Sequence, residues 1–83
     1  MCLVKNLGDG ELEAAIRKRV KSLLRSHPGI SASVLGFQQN DNWEVRVQNA
    51  ANQKSWAVKL TLHDNQSVER IIKFVSDGIA AVE

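Results

Sequence analysis

Trp43-Glu44-Val45-Arg46-Val47-Gln48-Asn49-Ala50-Ala51-Asn52-Gln53-Lys54-Ser55-Trp56-Ala57-Val58-Lys59-Leu60 decides the fold, because apolar and polar side chains alternate on both sides of a polar break. Trp43, Val45 and Val47 share one face of an extended segment, while Glu44, Arg46 and Gln48 point the other way. An even loop of two or four residues, centred on Ala51-Asn52, sets Val47 opposite Trp56, Val45 opposite Val58 and Trp43 opposite Leu60. The same register places Glu44 across from Lys59, and opposite charges so paired contribute roughly 0.2–1 kcal/mol. Residues 43–49 and 54–62 are therefore expected to be neighbouring antiparallel strands.

Upstream, residues 33–39 also read as a strand, and side-chain size suggests its inward face. The bulkier alternate set is Leu35 and Phe37, against Val34, Gly36 and Gln38. Turning the bulky set inward requires an odd loop, satisfied by the three residues Asn40-Asp41-Asn42, with Asn42 tolerating a left-handed conformation. Val34, Gly36 and Gln38 would then join Glu44, Arg46, Gln48, Ala57 and Lys59 on the outer face.

Both flanks are helical in period. Leu12, Ile16, Val20, Leu23 and Leu24 fall on one stripe of a helix capped by Asp9 or Gly10, with Glu11 and Glu13 at its positive end. His27-Pro28-Gly29 stops it. Val68, Ile71, Ile72, Val75, Ile79 and Val82 mark a second helix, capped by Asp64 or Asn65. Asp77-Gly78 is a candidate early end, since an interior glycine costs ~1 kcal/mol against alanine. Residues 1–8 show no clear period and read as a short N-terminal arm. The expected fold is α+β with the order α-β-β-β-α: a three-stranded antiparallel meander with both amphipathic helices packed on one face. Residues 9–83 form the single domain.

Composition narrows the function classes. The chain has 83 residues, 43% hydrophobic and 24% charged, which fits a folded domain and excludes disorder by high charge. Eleven basic and nine acidic residues give a net charge of +2, too small to dictate a partner. Lone Cys2 forms no internal disulfide, and no thiolate zinc set is present. No apolar run of ~18 residues is present to span a membrane. MCLVKNLGDG lacks a secretory apolar core, and Cys2 stands where myristoylation needs glycine, so a cytoplasmic location is expected.

Few residues offer chemistry. His27 and His63 have no neighbour at metal-ligand spacing, and His63-Asp64 with Ser67 reads as capping polarity. Cys2 has no evident activating base, and Asp9-Gly10 lacks the spacing of a phosphate loop. No catalytic residue, cofactor, metal or small-molecule substrate is expected. Arg17-Lys18-Arg19-Val20-Lys21, continued by Arg25, is the densest charge. Lys18, Lys21 and Arg25, with Arg46 and Lys59 on the sheet, are candidate nucleic-acid contacts. The alternative for the helix is a solvated face partly paired through Glu13 and Arg17.

Gly36 and Ala57, flanking Arg46 on the uncovered sheet face, and Phe74, about 120° from the core stripe of its helix, are candidate interface residues. Open strand edges add to that surface. The α-β-β-β-α order resembles that of double-stranded RNA-binding domains. That family's basic cluster has no counterpart in Asn65-Gln66-Ser67-Val68-Glu69-Arg70. Ser33-Val34-Leu35-Gly36-Phe37 and Val68-Glu69-Arg70-Ile71-Ile72-Lys73-Phe74 are faintly similar to the small Alu-RNA-binding subunits of the signal recognition particle. The function expected is a non-catalytic module working through protein contacts, as a homodimer or a subunit. A nucleic-acid-binding module is the alternative.

Overall fold

The computed structural model describes residues 2–37, 42–61 and 68–83, with the side chains of Phe37 and Thr61 left aside. Its elements are β1 (Cys2–Lys5), α1 (Gly10–Leu24), β2 (Ile30–Phe37), β3 (Asn42–Asn49), β4 (Lys54–Thr61) and α2 (Val68–Val82). The four strands form one mixed sheet in the order β1-β2-β3-β4, with β1 parallel to β2 and the other pairs antiparallel. The α+β class holds, but the three-stranded meander is corrected to four strands. Both helices cover the same face, α1 over β1 and β2, α2 over β3 and β4, and they touch each other.

The expected arm is the source of the extra strand. Cys2 pairs with Ala32 and Val4 with Val34, and Val4 is 1% exposed. The chain then turns through Asn6 and Gly8, both at positive φ, and buries Leu7. Two side chains of α1 hold this segment down. Arg17 donates from Nη2 to the Val4 carbonyl at 2.6 Å, and Glu13 Oε1 accepts from the Leu7 N–H at 3.0 Å.

The β3–β4 hairpin has the expected register: Val47 faces Trp56, Val45 faces Val58, Trp43 faces Leu60, and Glu44 faces Lys59. Its turn spans Ala50–Gln53, the four-residue option. The β2–β3 register differs from the expected one. Ala32 pairs with Val47, Val34 with Val45 and Gly36 with Trp43, so Ile30, Ala32, Val34 and Gly36 face inward and Leu35 faces outward. Phe37 pairs with Asn42, which leaves four residues between them, outside the described residues, and excludes the odd loop. The reason is space rather than side-chain bulk. A Cβ on Gly36 would lie 1.9 Å from the Asn6 carbonyl oxygen, so the backbone crossing from β1 to α1 fits only over glycine. Glycine inward at 36 sets the parity of the whole strand.

Asp9 caps α1 through its side chain, 2.9 Å from the Glu11 nitrogen. Ile16 and Val20 are fully buried, with Leu12, Leu23 and Leu24 packed beside them. Along α2, Ile71, Ile72, Val75, Gly78, Ile79 and Val82 are buried, and the helix runs unbroken past Gly78. A Cβ there would meet Trp56 Cε3 at 2.5 Å and Val47 Cγ2 at 2.6 Å, so the glycine brings helix and sheet together. Asn49 and Asn52 both donate to the Val82 carbonyl, closing the C-terminal end of α2. The expected caps Asp64 and Asn65 lie outside the described residues. Trp43 is buried as the alternation requires, whereas Trp56, on edge strand β4, is half-buried.

Candidate functional site

Among the described residues the helices cover one sheet face only, so the alternate positions of every strand build the other. Register aligns these positions in rows across the strands. Lys5, Leu35, Glu44 and Lys59 make one row, and Leu3, Ser33, Arg46 and Ala57 the next. Ser31, Gln48 and Ser55 continue it. Gln48 and Arg46 stand on β3, between small residues of β2 and β4. Three shallow concavities of about 260, 310 and 180 Å³ open here and all border Gln48. The first is walled by Leu3 and Leu35 on one side and Arg46 on the other. Leu3 is 41% exposed, a large apolar side chain facing solvent.

The electrostatics centre on a pair within β3. Glu44 is 6% exposed and accepts from Nε of Arg46, whose own side chain is 57% exposed. Two residues apart on a strand, they share the outer face. Lys59 stands directly across from Glu44 and is exposed.

The proposed nucleic-acid contacts divide between two sides of the molecule. Lys18 and Lys21 are exposed on α1 and Arg25 at its C-cap, in the helical layer, while Arg46 and Lys59 lie on the opposite sheet face. The basic run is also thinner than its sequence suggests. Arg17 is committed to the Val4 carbonyl, and Arg19 pairs with Glu69 of α2 at 2.8 Å. This pair holds the Glu69 carboxyl below its usual range and raises Arg19. Among the described residues no ion pair joins Glu13 and Arg17; Glu13 instead holds the Leu7 N–H.

Of the candidate interface residues, Ala57 is exposed on the open face as expected. Gly36 is not there: it is buried on the inner face against the Asn6–Leu7 backbone. Phe74 is half-buried and packs against the core, so it has a place within its own chain. The strand edges are β1 and β4, because β1 covers the free side of β2.

No family model, no curated protein and no solved structure matches this chain. The order β-α-β-β-β-α also departs from that of double-stranded RNA-binding domains by its parallel first strand.

Other reactive groups are held apart. His27 Nδ1 lies 2.8 Å from Glu83 Oε1 at the end of α2. Burial pushes the Cys2 thiol above its ordinary range, against the opposing pull of Lys21 and Arg17. Among the described residues no group of three or more His, Cys, Asp or Glu is placed to hold a metal ion. His63, Asp64 and Ser67 lie outside the described residues. No described helix is long and apolar enough to cross a membrane. The outward Leu3, Lys5, Ser33 and Leu35 were missed by sequence reasoning. For Leu3 and Lys5 the available signal was the tetrad Cys2-Leu3-Val4-Lys5 followed by the turn formers Asn6 and Gly8.

Proposed function

We propose that the chain is a small non-catalytic interaction module that holds a protein partner on its open sheet face. The supporting observation is the uncovered face itself, where exposed Leu3 and outward Leu35 stand beside Arg46 over a shared concavity. Exposed Leu3 beside half-buried Leu35, rimmed by charge, suits a contact surface. Charge favours a partner of another kind over a second copy. Four strands ~4.8 Å apart, and strands of eight residues rising ~3.3 Å each, give a planar face on the order of 400–500 Å². Two copies face to face would bury about 1,000 Å² in total, the floor for a specific interface, and would oppose Arg46, Lys5 and Lys59 to their like. Self-pairing is better served by the β4 edge, where Lys54 and Lys59 are the only charges.

The test is a pair of parallel selections, random peptides and random single-stranded RNA, against the immobilised protein. Amide shift mapping then locates each ligand. Peptides that shift outward positions of β1, β2 and β3, with Lys59 of β4, support the reading. Ligands confined to RNA, or a footprint confined to α1, contradict it.

One observation favours a second reading, nucleic-acid binding by α1: Lys18 and Lys21 on the helix and Arg25 at its C-cap are exposed and engaged by no ion pair among the described residues. Replacing all three with glutamine would then weaken binding uniformly across sequences. It would flatten the log-salt dependence by up to roughly one unit for each phosphate no longer neutralised.

A further inference from the structure

The chemistry of the open face selects its occupant, on the premise that this face binds protein as proposed above. Three cations point outward from it, Lys5, Arg46 and Lys59, and the one carboxylate among the described outward residues, Glu44, is already paired. That pairing also orients the arginine. Glu44 is buried and engages Nε, and among the described residues both Nη groups of the exposed guanidinium are left for an outside acceptor. Arginine presented in this way binds a carboxylate through two parallel hydrogen bonds. Next to it, Leu3 and Leu35 wall a concavity of about 260 Å³ whose floor is Ser31, Ala32 and Ser33.

We infer that the face takes an acidic peptide segment carrying one large apolar side chain. Its carboxylates meet the Nη edge of Arg46 and the ammonium groups of Lys5 and Lys59, while the apolar side chain seats between Leu3 and Leu35. A polynucleotide is the poorer match. Single-strand binders stack bases on aromatic rings, and Trp43 and Trp56 both stand on the covered face. The leucine wall also has no counterpart in a phosphate backbone.

The probes are individual peptides from the random-peptide selection, measured against wild type and a Lys5→Glu/Lys59→Glu variant, both exposed positions. Bound sequences should be enriched in Asp and Glu with a Leu, Ile, Met or Phe. Their Kd should rise about tenfold or more on charge reversal and should weaken with salt. Arg46→Lys, which keeps the charge but loses the fork, should also weaken binding. A paired Glu44→Gln/Arg46→Gln variant, which leaves no lone buried charge and the same net charge on the face, should weaken binding through loss of the fork while Lys5 and Lys59 keep a salt-sensitive acidic preference, with unchanged circular dichroism confirming its fold. Neutral or basic peptides that footprint on the outer face and ignore these variants would overturn the inference while leaving the face a protein-binding surface. No peptide on that face, or RNA alone, would overturn both.

Discussion

Gly36 and Gly78 stand at close approaches against the sheet, and each excludes a methyl group for a different reason. At Gly36 the obstacle is backbone: a Cβ would sit 1.9 Å from the Asn6 oxygen and 2.7 Å from its carbonyl carbon. At Gly78 the obstacle is side chain, the ring of Trp56 and a methyl of Val47. Alanine in a helix interior ordinarily gains ~1 kcal/mol over glycine. Here overpacking reverses the sign, and Gly78→Ala is expected to destabilise by about 1–3 kcal/mol. Gly36→Ala is expected to cost at least as much, because backbone yields less than a side chain. Urea midpoints measure both, and an unchanged or raised midpoint would contradict the close approach. The glycine at 36 was visible in the sequence, but its meaning was not. Side-chain bulk favoured turning Leu35 and Phe37 inward, and only a non-local crossing of the Asn6–Leu7 backbone decides otherwise.

At the scale of elements, β1 is the least self-sufficient part, with four residues paired to one neighbour and pinned from above by Arg17 and Glu13. Arg17→Met keeps much of the side-chain bulk but leaves the Val4 carbonyl without its charged donor. It should cost about 1–2 kcal/mol and selectively speed hydrogen exchange at residues 2–5. Uniform exchange along the sheet would contradict that local role. The Arg19–Glu69 pair ties α1 to α2 across solvent. Because Glu69 is held below its usual range in the folded chain, its support is present at neutral pH. That support is lost as pH falls through and below the carboxylate range. Both groups are exposed, so the effect is small and screened by salt. Glu69→Gln should therefore flatten the acid limb of the stability profile slightly at low salt and leave neutral pH with a small deficit; a steeper acid limb would contradict this. Both helices were legible because fifteen residues of 3.6-fold periodicity outvote local ambiguity. The strand β1 was not, since four residues carry no period and gain their place only through β2.

For the whole molecule, one error of parity changes which surface the fold offers. The β3–β4 hairpin is fixed by its own alternation, down to Glu44 opposite Lys59. The first loop, judged from size alone, reads as odd instead of even. That exchanges Val34 and Gly36 with Leu35 on the outer face. The corrected face is more apolar on the β1–β2 side and keeps its cations at Lys5, Arg46 and Lys59. The candidate site was thus half legible: Arg46, Ala57 and Lys59 were placed correctly, whereas Leu3 and Lys5 needed the parallel strand and Leu35 the parity set at Gly36. The proposed function depends on that leucine pair standing open beside Arg46. Methyl relaxation by a soluble gadolinium chelate tests it directly, in the free protein and with a selected peptide. Strong relaxation is predicted at Leu3 and Leu35, none at Val4 and Val34, and protection of both leucines once the peptide is bound. Relaxation at Val34 with Leu35 shielded in the free protein, or leucines left unprotected by every bound peptide, would contradict it.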